Sequence, residues 1–62
     1  MLDNKTKEIF YEGLTRCSEQ DLKALRTELC RQYNPEDFDL CMKLDEYVEM
    51  VDDRIRVIAI NR

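Results

Sequence analysis

The sequence predicts an all-α protein, with a short first helix followed by an antiparallel helical hairpin. Three observations predict it. The 62 residues include one glycine and one proline while 39% are charged, so helix formers dominate and breakers are rare. In the second half, Cys41, Leu44, Val48, Val51, Ile55 and Ile58 fall at alternating spacings of three and four, which is a seam along one side of a helix. The single proline, Pro35, stands between two helical patterns.

A chain this short makes one domain, residues 1–62. It buries only about 60% of the surface its unfolded form exposes, so well-packed helices or oligomerisation must help. The first helix is expected over about 4–16, capped by Asp3 or Asn4, with Ile9, Phe10 and Leu14 on one side and Tyr11 flanking them. Gly13 lies inside this pattern at a cost of roughly 1 kcal/mol relative to alanine, or marks the helix end.

Ser18 starts the second helix, expected over about 19–33. Ser18 with Asp21 three residues on resembles a capping box, and Glu19 and Asp21 suit the positive end of the helix. Leu22, Leu25, Leu29 and Tyr33 form its apolar stripe, widened by Ala24 and Cys30. Asn34 and Pro35 then end one helix and begin the next, with Asn34 as cap and Pro35 at the first helical position. The third helix is expected over about 35–58. Residues 55–60 are rich in β-branched side chains and read alternatively as a short strand. Arg54 and Arg56 suit the negative end of this helix.

A tight turn near Pro35 sets an expected register. Cys30 would lie level with Cys41, Leu29 near Phe38 to Leu44, and Leu25 nearer Leu44 to Val48. The two cysteines read as small core residues, with a redox-sensitive disulfide or a metal-ligand role as the alternatives. The third helix would outrun the second at its far end and leave Val51, Ile55 and Ile58 to be covered. The first helix folding back gives a three-helix bundle, and a second copy of the chain gives a dimeric, four-helix-bundle-like homodimer.

Composition narrows function by exclusion. There is no histidine, one serine already read as a cap, and one glycine, which cannot build a phosphate loop. No catalytic residue, cofactor or metal site is expected. Three cysteines without an apolar leader suggest a cytoplasmic protein with reduced thiols, and no run of residues is apolar enough for a membrane. Residues 1–34 carry six basic and six acidic groups; residues 35–62 carry four and eight, which places the whole net charge of −4 on the second half. DNA and anionic membranes are therefore not expected partners.

The acidic residues Asp39, Asp45, Glu46, Glu49, Asp52 and Asp53, with Tyr47 and Met50 beside the seam, form the candidate partner-binding surface. The bland alternative is a solubilising face with its aromatic and methionine in the core. The preferred function is a small non-enzymatic protein–protein interaction module, a regulator or inhibitor in a bacterial or phage setting, binding a protein with a basic or apolar groove. A second reading is an RNA-binding hairpin dimer using Lys5, Lys7, Lys23, Arg26 and Arg31.

Two limited resemblances bear on these alternatives. Cys41-Met42-Lys43-Leu44-Asp45 resembles, in its Leu-Asp pair alone, the Ser-Gln-Glu-Leu-Asp motif of helical hairpins that dephosphorylate sporulation response regulators. That would imply a phosphatase-like role for Asp45. The spacing of Asp39, Cys41 and Leu44 is similar to one helix of the plasmid copy-number hairpin dimers, while the first half departs from them. Neither assigns the chain to a family.

Overall fold

The computed structural model describes residues 2–61. Its elements are α1 (Asn4–Thr15), α2 (Glu19–Arg31) and α3 (Phe38–Ile60), with no strand among the described residues. The all-α class and the short helix followed by a hairpin are as the composition and spacing predict. The radius of gyration is 12.0 Å, against about 10.6 Å expected for a chain this long. The excess reflects α3, whose 23 residues span about 35 Å of the 39 Å long axis.

Each helix begins on a side-chain cap. Asp3 accepts from the Thr6 N–H at 2.7 Å, which settles the choice between Asp3 and Asn4. Ser18 accepts from the Asp21 N–H at 3.1 Å while Asp21 accepts from the Ser18 N–H at 3.3 Å, a full capping box. Such a cap stabilises its helix by about 1 kcal/mol. Gly13 lies within α1 at negative φ, and a Cβ there would meet nothing within 4 Å.

The connection between α2 and α3 differs from the expected tight turn. α2 ends at Arg31 rather than Tyr33, and α3 begins at Phe38 rather than Pro35. Asn34 caps a turn instead of a helix. Its side-chain oxygen accepts from the Glu36 N–H at 3.0 Å and its carbonyl from the Asp37 N–H at 2.9 Å. Pro35 therefore occupies the second position of a β-turn, which its fixed φ suits as well as the first position of a helix. Asp37 is the cap of α3, accepting from the Leu40 N–H at 3.0 Å.

This six-residue connection shifts the hairpin register. Arg26 pairs with Asp52 at 2.7 Å, and the Tyr33 hydroxyl donates to Asp45. The Cys41 thiol donates to the Asn34 carbonyl at 3.1 Å, so the connection lies along the first turns of α3. Cys30 is thereby carried away from Cys41 and sits exposed, as does Ala24; the three cysteines are free thiols. The expectation that Cys30 is a core residue level with Cys41 is corrected by that shift.

Val51, expected to need a cover, is covered, and exposed apolar residues stand at both ends of α3, with Val57 and Ile60 at the far end. Val51 is fully buried within the chain, and Ile55 and Ile58 are half-buried against the same core. Phe38, at the start of α3, is 73% exposed, and Met42 is exposed beside it. Those two are open at the turn because the connection, not α2, flanks the first two turns of α3.

Leu14, Leu22, Leu29, Leu44 and Val51 form the buried core, one residue from α1 and two from each of the others. Burying each such side chain stabilises the fold by about 1.5–3 kcal/mol before entropy. Ile9, expected beside Leu14, is 63% exposed instead. The β-branched tail is helical to Ile60, since Ile55 and Ile58 continue the seam. Arg54 and Arg56 precede the last turn, so they do not serve the helix end as expected; Arg56 pairs with Asp53 at 3.2 Å.

Candidate interaction surface between α1 and α3

The eight residues of the sequence-derived surface fall into separate settings on α3. Glu46, Tyr47 and Met50 face α1. Tyr47 stacks on Phe10, with ring centroids 4.4 Å apart and a 58° tilt. Such pairs add about 0.5–1.5 kcal/mol beyond their burial. Glu46 accepts from the Leu2 N–H at 2.8 Å and pairs with the Lys7 ammonium at 3.6 Å. The Leu2 N–H, reinforced by the Lys7 charge, holds the Glu46 carboxyl below the usual carboxylate range. Asp3 is lowered likewise by its hydrogen bonds to Thr6.

Asp52 faces α2, where Arg26 engages it. Asp45, Glu49 and Asp53 lie on the outer stripe of α3, which runs Phe38, Met42, Asp45, Glu49, Asp53, Arg56, Ile60, all of them exposed. The stripe is apolar at both ends and charged between. Asp39 stands apart from it, on the side of Lys43.

Between α1 and α3 the surface is recessed. One hollow of about 420 Å³ is lined by Lys7, Glu8, Tyr11, Glu12 and Met50. A second, of about 270 Å³, is lined by Lys7, Glu46, Glu49, Met50 and Asp53. They share Lys7 and Met50 and so adjoin as one shallow, open furrow along the helix junction. The Tyr11 ring and the Met50 thioether supply its apolar floor. Carboxylates supply its rims, Glu8 and Glu12 from α1 and Glu49 and Asp53 from α3.

Sequence reasoning placed Met50, Glu46, Glu49 and Asp53 on a surface but missed the α1 side of it. The pairing of Glu8 with Glu12 at helical spacing is visible in the sequence. Which face of α1 meets α3 is not, because Ile9 and Phe10 compete for the inward position and only Phe10 finds a ring to stack on.

The basic residues of the RNA reading are largely engaged. Lys7 pairs with Glu46, Lys23 with Glu19 at 3.3 Å, Arg26 with Asp52, and Arg31 with Glu28 at 3.2 Å. Asp45 accepts the Tyr33 hydroxyl. Arg54 Nε is buried without a hydrogen-bond partner. Among the described residues no cluster of three or more histidines, cysteines or carboxylates is arranged to hold a metal, and no helix is long and apolar enough to cross a membrane. Comparison with known proteins finds no matching family model, curated protein or solved structure, so the geometry carries the functional argument.

Proposed function

We propose that this chain is a small non-enzymatic interaction module, a regulator or inhibitor that binds a partner protein through an acidic and apolar surface built on α3. The observation that carries the reading is the furrow, where Met50 and Tyr11 stay open to solvent between carboxylates on both sides. Exposed apolar groups rimmed by charge are the pattern of a protein-binding surface. The RNA reading is weakened because four of its five cations already have carboxylate partners, which reduces the field a phosphate backbone would meet. Asp45 accepts the Tyr33 hydroxyl on an open, solvent-exposed stripe, which gives the phosphatase-like reading no enclosed site.

Affinity capture from source-cell lysate, with and without nuclease, tests the proposal by comparing the unmodified chain with Glu49→Lys/Asp53→Lys. The expected result is a stoichiometric protein that survives nuclease and is lost from the variant. Retention unchanged by charge reversal would remove the acidic surface from the account. Retention abolished by nuclease would replace it with the RNA reading.

A further inference from the structure

Resting on that reading, we infer that the furrow between α1 and α3 is a seat for one kind of occupant: a basic amphipathic helix of a partner protein, with an apolar side chain inserted between Tyr11 and Met50. Charge selects the sign of the occupant. Five carboxylates (Glu8, Glu12, Glu46, Glu49, Asp53) and one ammonium (Lys7) line the furrow, a net of −4 that equals the net charge of the whole chain. Lys7 is drawn to Glu46 and Arg56 to Asp53, so the excess negative charge of the furrow rests on Glu8, Glu12 and Glu49. Nucleic acid and anionic lipid meet repulsion there, and cationic side chains meet attraction on both walls.

Secondary structure selects the form of the occupant. The described residues include no strand, so no sheet edge is available for an extended peptide to join. Two helices side by side instead offer a groove into which a third helix lays its apolar face. α1 has 12 residues, about 18 Å, room for roughly three turns of a partner helix. On such a helix, apolar residues three or four apart reach the floor while lysines or arginines on either side reach Glu8 and Glu12 on one wall and Glu49 and Asp53 on the other. Met50 is unbranched and polarizable and conforms to the inserted side chain, and the Tyr11 face accepts a neighbouring cation.

The same charge argues against a second copy of the chain as occupant. A twofold contact through the furrow sets like against like, carboxylate rim on carboxylate rim.

Titration of the isotopically labelled chain with a synthetic peptide of about 18 residues, roughly five helical turns, tests the inference by NMR. The peptide carries leucines at helical spacing flanked by lysines and arginines; a scrambled peptide of equal composition is the comparison, both at about 0.15 M salt. The expected result is amide shifts centred on Lys7–Glu12 and Glu49–Asp53, with the ordered peptide bound at least about tenfold more tightly than the scrambled one. Glu8→Lys/Glu12→Lys, at two exposed positions that leave the core intact, should lose about tenfold in affinity with an unchanged far-UV spectrum.

Equal affinity for both peptides would overturn the groove and leave only diffuse charge attraction. Shifts centred on Phe38, Met42 and Asp45 would overturn it in favour of the outer stripe. A dimer of the chain with shifts at the furrow would overturn the occupant. Each of these leaves the broader interaction reading standing, because that reading is decided separately by lysate capture. An absence of shifts with either peptide overturns the basic-helix seat itself.

Discussion

The two interfaces of α3 are built on different physics. Towards the shared core α2 contributes two buried leucines, Leu22 at 0% exposure and Leu29, which join Leu44 and Val51 of α3. The α1 side contributes one, Leu14, and relies otherwise on a half-exposed ring pair and a polar clasp from Glu46 to Leu2 and Lys7. The first interface holds the fold. The second leaves a furrow open beside it. In a protein of 62 residues the total stability is of the order of 3–9 kcal/mol, so a chain with one strong interface has little left to close the other. A recess therefore survives on the weaker side, and there the proposed partner docks.

The largest effect that breaks this comparison is on the strong side. Leu22→Ala should cost about 2–5 kcal/mol through lost burial and the cavity left behind. In a thermal melt followed by far-UV circular dichroism the midpoint should fall by more than about 10 °C. A shift of only a few degrees would mean that the α2–α3 layer is not the main support.

A smaller effect, of opposite sign, sharpens the weak side. Gly13→Ala places a methyl group in open space at a helical position with ordinary φ. It should stabilise α1 by about 0.5–1 kcal/mol, through helix propensity and a less flexible unfolded chain. The melting midpoint should rise by several degrees, and any fall would show that Gly13 is needed for close packing.

The smallest effect concerns the clasp. Glu46 and Asp3 both titrate below the ordinary carboxylate range in the folded chain. Groups lowered on folding contribute stability above their unfolded values and lose it as pH falls through the folded ones. Near-UV dichroism of a Tyr11→Phe/Tyr33→Phe background, in which Tyr47 is the remaining tyrosine, should hold steady near pH 7 and decline as pH drops below about 4. Glu46→Gln should flatten part of that decline. An identical acid profile in the variant would show that the clasp does not hold α1.

Much of this architecture is legible in the sequence, for identifiable reasons. The three-four spacing from Leu44 to Ile58 and the capping box at Ser18 are local patterns, and helices obey them. The register is not legible, because it depends on a choice among equals. Asn34, Pro35 and Asp37 suit a helix start at either of two positions, and moving the start by three residues leaves Cys30 exposed and opens Phe38 at the turn. The α1 side of the furrow is hidden for a similar reason. Two adjacent apolar residues, Ile9 and Phe10, each offer an inward face, and a long-range ring contact decides between them. The charge asymmetry between the halves pointed to α3 but gave no sign that Glu8 and Glu12 would stand opposite it.

Native-state hydrogen exchange tests the division between the two interfaces most directly. Amides of α2 near Leu22 and Leu29, and of α3 near Val51, should exchange only through global unfolding. Those of α1 from Phe10 to Leu14 should open separately, at a free energy lower by at least about 1 kcal/mol. Equal protection in α1 and around Val51 would contradict the account: the three helices would then form one cooperative core, and the furrow would be a crease in it rather than the open side of a weaker interface.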